Sequence, residues 1–322
     1  MKKANRNILL SISLGLLLPW CMAMLLVKDH RQADAPQPTT HATGETVPTA
    51  GDVMINVLFD GVGTQMRLED YLTGVLLGEL PGDFHMEAKK AQAVVARTYT
   101  LRTVIMKNKH PDQAVCTNSN CCQSYVAPQQ YLENGGSQAV LDAAVQAVQH
   151  TEGIVLTYAG ELIDATYFSC SGGATETALA VWGSDVPYLQ SVKSPGEEIA
   201  THYTDTVTFT IQKFQALLGV KLSDDPSTWL GEAEYTTGGG VAKLAIGGQS
   251  FTGTELRSKL GLRSTAFTMT AVGNSIVITT KGFGHRVGMS QYGAQAMALS
   301  GSDYKTILQH YYSGAILEER TA

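Results

Sequence analysis

The chain has 322 residues, of which 44% are hydrophobic and 16% are charged, and its net charge is −6. A chain of this length has enough apolar material for one large folded domain or two smaller ones. The net charge argues against nucleic acid as a partner, because phosphate binding needs a basic surface and the sequence contains no basic stripe.

The N-terminal segment predicts a membrane anchor followed by a tether. Three basic residues precede an uncharged run at residues 8–27, which is long enough to cross a hydrocarbon core of about 30 Å as a helix. A cleaved signal peptide is the alternative, but no clear small-residue cleavage site follows the run. We therefore expect residues 1–7 in the cytoplasm and the bulk of the protein outside it. Residues 28–51 are polar and contain prolines, which predicts a flexible linker.

The remainder of the chain predicts a mixed α+β domain. Apolar periodicity, caps and turn residues predict the following elements: a strand at 53–59, helices at 68–77, 84–107 (capped by Asp83) and 138–150 (capped by Ser137), hairpin strands at 154–158 and 162–168, a helix at 211–218 and a strand at 275–280.

The character of the sequence changes after about residue 190, where glycine clusters and alternating strands replace the alanine-rich helices. We interpret residues 52–190 and 282–318 as the core domain, and residues 191–281 as a smaller inserted lobe. The expected architecture is therefore a two-lobed extracytoplasmic domain with an open cleft, preceded by one transmembrane helix.

The first of three unusual clusters surrounds Glu79. This carboxylate lies just before the long predicted helix, in a turn braced by Pro81 and Gly82. On that helix Lys90 and Arg97 are seven residues apart, so they share one face at about 10 Å from each other. The alternative is an ordinary surface glutamate accompanied by two solvated basic residues.

The second cluster is Ser169-x-Ser171-Gly172-Gly173, at the end of the predicted hairpin. Small hydroxyl residues and paired glycines allow backbone N–H groups to approach a polar ligand closely. These residues are also common in plain turns. The spacing differs from the G-x-S-x-G elbow of serine hydrolases, so that class is disfavoured.

The third cluster is the glycine-rich segment 282–294, which contains His285, Gln291 and Tyr292. It predicts a backbone-dense loop that leads into a helix, with Gln291 and Tyr292 able to contact a polar substrate. A purely structural His285 is the alternative. We expect this segment to form one wall of a substrate groove that faces the helix after Glu79.

Together these clusters resemble the signature of the stage II sporulation protein D family of lytic transglycosylases, over about residues 53–312. The resemblance rests on four runs in the family's order: Asp70-Tyr71-Leu72-x-Gly74-Val75-x-x-Gly78-Glu79-Leu80-Pro81, Glu87-Ala88-x-Lys90-Ala91-Gln92-Ala93-x-x-Ala96-Arg97-Thr98-Tyr99, Ser-x-Ser-Gly-Gly at 169–173, and Gly-x-Gly-His-x-Val-Gly-Met-Ser-Gln-Tyr-Gly-Ala at 282–294. Two departures are Leu80, where methionine is more usual, and Arg286, where a second glycine is usual. We expect Arg286 to alter the flexibility of the loop.

The resemblance implies a reaction and a set of contacts. The family cleaves the glycosidic bond between N-acetylmuramic acid and N-acetylglucosamine without water, leaving a 1,6-anhydro end. By position Glu79 is its single catalytic acid and base, which explains why no second carboxylate is required. The expected substrate contacts are Lys90, Arg97, Tyr125, Ser169, Ser171, His285, Gln291 and Tyr292, with Lys90 and Arg97 making substrate or structural contacts at some distance from Glu79.

The resemblance also implies a cellular setting. The family acts on peptidoglycan glycan strands at the engulfing septum during sporulation, from the mother-cell membrane. Its partners there are a cell-wall amidase that removes stem peptides and a multipass membrane protein.

The chain has five cysteines, and three of them crowd together with a histidine. His110, Cys116, Cys121 and Cys122 are suitable zinc ligands, and similar family members can carry zinc here. A disulfide within the cluster is the alternative outside the cytoplasm. Four ligands from one short loop leave no open position, so we expect a structural zinc.

The leading function has two rivals, and a different feature of the sequence disfavours each. One rival is a zinc-dependent amidase that cuts stem peptides from the glycan, and the other is a glycan-binding scaffold without turnover. A catalytic zinc would need an open water position, and a scaffold would have no use for a well-positioned Glu79.

Overall fold

The computed structural model describes residues 53–106 and 109–319 of the chain. The predicted cytoplasmic segment, anchor and linker at residues 1–51 lie outside these residues. Within them, no helix combines the length and the apolar character needed to cross a membrane.

The described residues form a mixed α+β fold, as predicted. The helices are α1 Leu68–Glu79, α2 Met86–Met106, α3 Pro128–Glu133, α4 Gln138–Gln149, α5 Ala178–Trp182, α6 Ile211–Leu218, α7 Gly253–Leu260, α8 Gln291–Leu299 and α9 Tyr304–Tyr311. The strands are β1 Met54–Phe59, β2 Val62–Arg67, β3 Val115–Cys116, β4 Ile154–Tyr158, β5 Glu161–Leu162, β6 Tyr167–Phe168, β7 Thr204–Thr210, β8 Leu230–Tyr235, β9 Val241–Ile246, β10 Gln249–Thr252, β11 Phe267–Val272, β12 Ser275–Lys281, β13 Met289–Ser290 and β14 Ile316–Glu319.

The strands are distributed over small sheets. Their orders within the described residues are β2-β1-β3, β10-β9-β8, β11-β12-β7, β13-β6 and β14-β4-β5. Most pairs are antiparallel, but β1 with β3 and β13 with β6 are parallel. The short parallel pair β13-β6 joins segments that are more than a hundred residues apart in the sequence.

The long helix α2 lies at the centre of the first part of the fold. Its alanine and valine side chains contribute to two hydrophobic clusters, one containing α8 and α9 and the other containing β1 and α1. A third cluster consists of buried residues between Phe209 and Ile278. This separate cluster lies within the segment interpreted as an inserted lobe, although the division into lobes and the open cleft between them stay predictions.

Two predicted boundaries were wrong. The first backbone hydrogen bond of α2 is accepted by His85, and the His85 ring Nδ1 accepts the N–H of Glu87 at 3.2 Å, so His85 caps the helix instead of Asp83. The predicted strand at 162–168 is two short strands, because Leu162 pairs with β4 whereas Tyr167 and Phe168 pair with β13.

Candidate functional site

Glu79 is the last residue of α1, and the local packing explains how it is held. A Cβ atom added to Gly78 would lie 2.8 Å from the Tyr125 backbone nitrogen, and one added to Gly74 would lie 2.2 Å from the Tyr125 ring. The two glycines therefore let the segment around Tyr125 pack directly against α1. This close approach brings the backbone N–H of Ser124 to the Glu79 carboxylate, where it donates to Oε1 at 2.6 Å.

The Glu79 carboxyl group lies in a partly buried, polar setting. Burial raises its pKa, and hydrogen bonds from the Ser124 N–H, the Tyr167 side chain and the Gln291 side chain oppose the rise. The Gln291 Nε2 atom lies 3.5 Å from Glu79 Oε2. Because burial outweighs these hydrogen bonds, the carboxyl group holds its proton more readily than an exposed one. The same hydrogen-bond donors stabilise the carboxylate after the proton leaves.

Glu79 opens into a cavity of about 800 Å³. The lining combines aromatic rings, hydroxyls, amides and charged groups: Glu79, Tyr99, Arg102, Thr103, Lys109, Ser119, Asn120, Cys121, Cys122, Asp164, Thr166, Tyr167, Phe168, Ser169, Trp182, Arg257, Phe283, Gly284, His285 and Gln291. A space of this size and polarity suits an extended polar ligand better than a small apolar one.

The second and third sequence clusters meet at this cavity. Tyr167 and Phe168 pair in parallel with Met289 and Ser290, and Cys170 exchanges backbone hydrogen bonds with Phe283 at 3.1 and 2.7 Å. These pairings bring Ser169 and Gln291 onto the same lining as Glu79.

The buried carboxylate of Glu197 accepts hydrogen bonds from both the second and the third sequence cluster. It accepts hydrogen bonds from the backbone N–H groups of Ser171, Gly172 and Gly173 and from the Ser171 hydroxyl, at 2.6 to 3.1 Å. The hydroxyls of Ser194 (at 2.8 Å) and Ser290 also donate to it. Ser290 in turn caps α8 by accepting the N–H of Gly293 at 3.1 Å, so Glu197 indirectly positions Gln291, the first residue of that helix.

Arg286 holds its loop in one conformation through several polar contacts. Its backbone has a left-handed φ of 68°, a conformation that is costly for a residue with a Cβ. Its guanidinium is 1% exposed and pairs with Glu176 at 2.9 Å. It also donates to the backbone carbonyls of Ser171 at 2.6 Å and Gly238 at 2.5 Å. These bonds connect the glycine-rich segment to the second cluster and to the loop before β9, so the expected change in flexibility takes the form of a restraint.

His285 lies on the cavity lining, and its ring contacts two aromatic side chains. Its ring centroid is 5.4 Å from that of Trp182 and 5.5 Å from that of Phe168. Burial lowers its pKa to about 4, and the nearby charge of Arg257 contributes to the shift. The neutral ring shapes the cavity and is a poor general acid near neutral pH.

Three residues that we expected to contact substrate lie elsewhere in the described structure. Arg97 is 1% exposed and its guanidinium forms an ion pair with Glu69 at 2.6 Å, which is the structural role allowed for it. Lys90 pairs with Glu87 at 2.7 Å, one turn away on α2. The Tyr125 ring stacks on Tyr71 with centroids 5.7 Å apart, in the core behind Glu79.

Two further predicted contacts support the cavity wall without lining it. The Ser171 side chain is buried and donates to Glu197 at 2.6 Å. The Tyr292 ring packs against Phe84, with centroids 5.1 Å apart, while its backbone N–H donates to the Ser169 carbonyl at 3.0 Å. Gln291 and Tyr292 therefore differ: the amide borders the cavity, and the phenol faces the core.

The four predicted metal ligands come together. The ligand atoms of His110, Cys116, Cys121 and Cys122 all lie within 4.8 Å of one another, and His110 Nε2 is 3.3 Å from Cys121 Sγ and 3.4 Å from Cys122 Sγ. The backbone of Cys121 and Cys122 turns so that both N–H groups bond to the Asn118 carbonyl, which lets adjacent thiols point the same way. One imidazole and three thiols at this spacing fit a tetrahedral zinc.

Several cavity residues were missed at the sequence level. Tyr167 and Asp164 fell within a predicted strand, where nothing in the pattern distinguished them from packing residues. Trp182 is 45% exposed on the short helix α5, and an isolated tryptophan after a glycine-rich turn was the only available signal for it. Glu197 does not line the cavity but positions two of its segments, and it lies outside every motif and had no signal in the sequence.

Comparison with known proteins identifies relatives of the chain. Residues 61–158 match the family model described as stage II sporulation protein. The chain is 40% identical over 260 residues to the stage II sporulation protein D of Bacillus subtilis strain 168, covering 79% of this chain and 75% of that protein. Its identity to the protein of the same name from Bacillus amyloliquefaciens is 41% over 256 residues, or 78% of this chain and 74% of the relative.

A more distant relative carries a different name. The amidase enhancer of Bacillus subtilis strain 168 is 29% identical over 299 residues, which cover 76% of this chain and 40% of that protein. The family model, the two closely similar relatives and the four motifs around one cavity agree, and the chain therefore belongs to the stage II sporulation protein D family.

Proposed function

We propose that the protein is a peptidoglycan lytic transglycosylase that acts on glycan strands during engulfment in sporulation, with Glu79 as its single acid and base. The observation that carries this proposal is a partly buried carboxyl group, with a raised pKa, at the wall of a large polar cavity. Such a group can donate and then recover one proton, which is all the acid–base chemistry that this reaction requires.

The chemistry then follows two coupled steps. Protonated Glu79 donates its proton to the glycosidic oxygen as the bond from that oxygen to C1 of the muramoyl sugar breaks. The carboxylate then accepts the proton of the muramoyl 6-hydroxyl, whose oxygen forms the new bond to C1. No water is consumed and Glu79 ends protonated, so one residue completes the cycle.

The cavity offers suitable contacts for sugars. The rings of Trp182 and Phe283 are 45% and 40% exposed and can cover the apolar face of a pyranose. Ser169 and Gln291 provide a hydroxyl and an amide for sugar hydroxyl and N-acetyl groups.

Removing the Trp182 ring should weaken glycan binding. We expect Trp182→Ala to raise the dissociation constant for peptide-free glycan strands roughly five- to thirty-fold, the equivalent of about 1–2 kcal/mol of lost apolar contact. Leu179→Ala is the matched control, because Leu179 lies on the same helix, is 55% exposed and does not line the cavity. Equal effects of the two substitutions in titration calorimetry would remove Trp182 from the binding surface.

We further propose a structural zinc held by His110, Cys116, Cys121 and Cys122. The ion would cross-link the loop between α2 and α3, and its four protein ligands leave no position for a reactive water. The same loop continues to Ser124, whose N–H donates to Glu79 at 2.6 Å. The metal would thus stabilise the segment that holds the catalytic carboxyl group without taking part in the reaction.

Loss of a ligand should therefore destabilise the protein. We expect His110→Ala to abolish zinc binding and lower the melting temperature by about 5 °C or more, because a structural metal contributes folding free energy. His150 is an exposed histidine at the end of α4, and His150→Ala should leave zinc binding and the melting temperature unchanged. Elemental analysis of wild-type protein tests the site directly: zinc well below one ion per chain, with a mass lower by two hydrogens, would indicate a disulfide.

A second candidate function rests on Asp164. This second carboxyl group lines the cavity and burial raises its pKa. Pairs of carboxyl groups serve glycoside hydrolases, which add water to the same bond. Asp164 has Arg102 and Lys109 as neighbouring charges that lower its pKa, and this pairing favours a positioning role for it.

The expected surroundings of the protein are also part of the proposal. We propose a single-pass membrane protein whose bulk faces the space between the septal membranes, beside an amidase and a multipass membrane protein. The name of the 29% identical relative, amidase enhancer, supports the first of these partners.

Product analysis separates the proposed activity from its rivals. Digestion of purified glycan strands followed by mass spectrometry should yield 1,6-anhydro-muramoyl ends. Reducing ends would indicate a hydrolase, freed stem peptides would indicate a zinc amidase, and the absence of any product alongside tight binding would indicate a scaffold.

A further inference from the structure

Arg257 is a cation on the cavity wall that lacks a partner. It is partly buried, and its buried Nε atom has no hydrogen-bond partner among the described residues. It also forms none of the ion pairs found in this part of the chain. Burial lowers its pKa, yet a guanidinium stays charged in proteins. An uncompensated, partly desolvated charge costs free energy that an anionic ligand would recover.

The other two cations of the cavity are engaged. Arg102 donates to the Leu162 carbonyl at 2.5 Å and is close enough to Asp164 to lower the pKa of that carboxyl group. Lys109 donates to the Cys121 carbonyl at 2.6 Å and to the Tyr99 hydroxyl. Of the three basic residues on the lining, Arg257 alone is available to a ligand within the described structure.

The backbone of Arg257 is held firmly. Helix α7 begins with a capping box between Thr252 and Glu255 and ends at Gly261, whose N–H bonds to the Arg257 carbonyl. The neighbouring Leu256 is fully buried in the third hydrophobic cluster. The guanidinium is thus presented from a fixed helix, which favours a defined contact over a mobile surface charge.

We propose that Arg257 forms a carboxylate-binding subsite for the glycan in the cavity. The subsite rests on the proposed function, because a peptidoglycan strand is the ligand that would carry the carboxylate. Its source is either the lactyl carboxylate of a peptide-free muramoyl sugar or a carboxylate of an attached stem peptide. The adjacent neutral His285 and the exposed Trp182 ring would contact the sugar that bears this group.

The test compares Arg257→Gln with Lys259→Gln in the full-length protein. Both substitutions remove one positive charge from α7, but Lys259 is exposed and does not line the cavity. Titration calorimetry uses three glycan preparations: peptide-free strands, the same strands with their carboxylates converted to methylamides, and strands with intact stem peptides.

We expect Arg257→Gln to weaken binding of one carboxylate-bearing preparation by roughly ten- to a hundred-fold, the loss of a charge-assisted hydrogen bond. Arg257→Gln should leave binding of the methylamidated strands unchanged. Lys259→Gln should leave binding of all three preparations unchanged. A loss confined to peptide-free strands identifies the lactyl carboxylate, and one confined to peptide-bearing strands identifies the stem peptide. Arg257→Lys keeps the positive charge, so its affinity should fall less than that of Arg257→Gln. A difference between these two variants would show that the loss does not come from misfolding.

The subsite would be overturned if Arg257→Gln and Lys259→Gln bound all three preparations equally, or if Arg257→Gln weakened binding of the methylamidated strands as much as binding of the carboxylate-bearing ones. The release of anhydro ends by wild-type protein is measured on the same strands. If the protein releases anhydro ends but Arg257→Gln binds glycan as the wild type does, the subsite is refuted and the proposed function is not. If binding depends on Arg257 but no anhydro ends are released, the proposed function is refuted and the subsite is not.

Discussion

Glu79→Gln should abolish glycan cleavage while the protein still folds and binds glycan. Loss of a general acid and base lowers rates by about 10²–10⁴-fold, and in the proposed mechanism one residue supplies both roles. The amide keeps an oxygen to accept the Ser124 N–H, and it removes a carboxyl group whose charged form is disfavoured by burial. Thermal stability should therefore stay at or above that of the wild type.

The control for this substitution is Glu133→Gln, which changes an exposed glutamate at the end of α3. Since burial raises the pKa of Glu79, the wild-type rate should persist above the usual range of a glutamic acid and fall as pH rises through the shifted value. A Glu79→Gln enzyme that releases product at the wild-type rate would show that another group transfers the proton.

Glu197→Ala should cause the largest loss of stability. The substitution leaves three backbone N–H groups and several hydroxyls without their acceptor in a buried setting. Each unsatisfied buried donor costs about 1–3 kcal/mol, so we expect the free energy of unfolding to fall by on the order of 3–5 kcal/mol, allowing for relaxation. Equilibrium denaturation with urea measures the difference.

Glu198→Ala is the natural comparison, because Glu198 is the next residue in the chain and is exposed. Glu198→Ala should change the free energy of unfolding by no more than about 0.5 kcal/mol. If both substitutions change the free energy of unfolding by similar amounts, the hydrogen bonds to Glu197 do not hold the two motif segments together.

The longer helices of the fold could be predicted from the sequence. Apolar periodicity located α1, α2, α4 and α6, because a repeat of 3.6 residues over several turns is a strong local signal. The two-residue pairing of β6 with β13 could not be predicted in this way, since its partners are distant in sequence and too short for any periodicity. That pairing brings the second and third motifs to the cavity.

Side-chain directions at the site were harder to predict than residue types. Gln291 and Tyr292 are neighbours, yet only the amide borders the cavity, because the start of α8 turns the phenol toward Phe84. Arg97 belongs to the same motif as Lys90, but its partner Glu69 lies on another helix and draws it into the interior. Motif membership therefore identified the region of the site, and tertiary packing determined which atoms reach it.

Cleavage of glycan strands in water labelled with oxygen-18 distinguishes the proposed intramolecular transfer from hydrolysis. The proposed transfer to the muramoyl 6-hydroxyl consumes no water, so the new ends should be 1,6-anhydro sugars that contain no label. Hydrolysis through Glu79 and Asp164 would instead give reducing ends with one labelled oxygen each. Labelled reducing ends as the main product would contradict the account, whereas unlabelled anhydro ends that disappear with Glu79→Gln are the result it predicts.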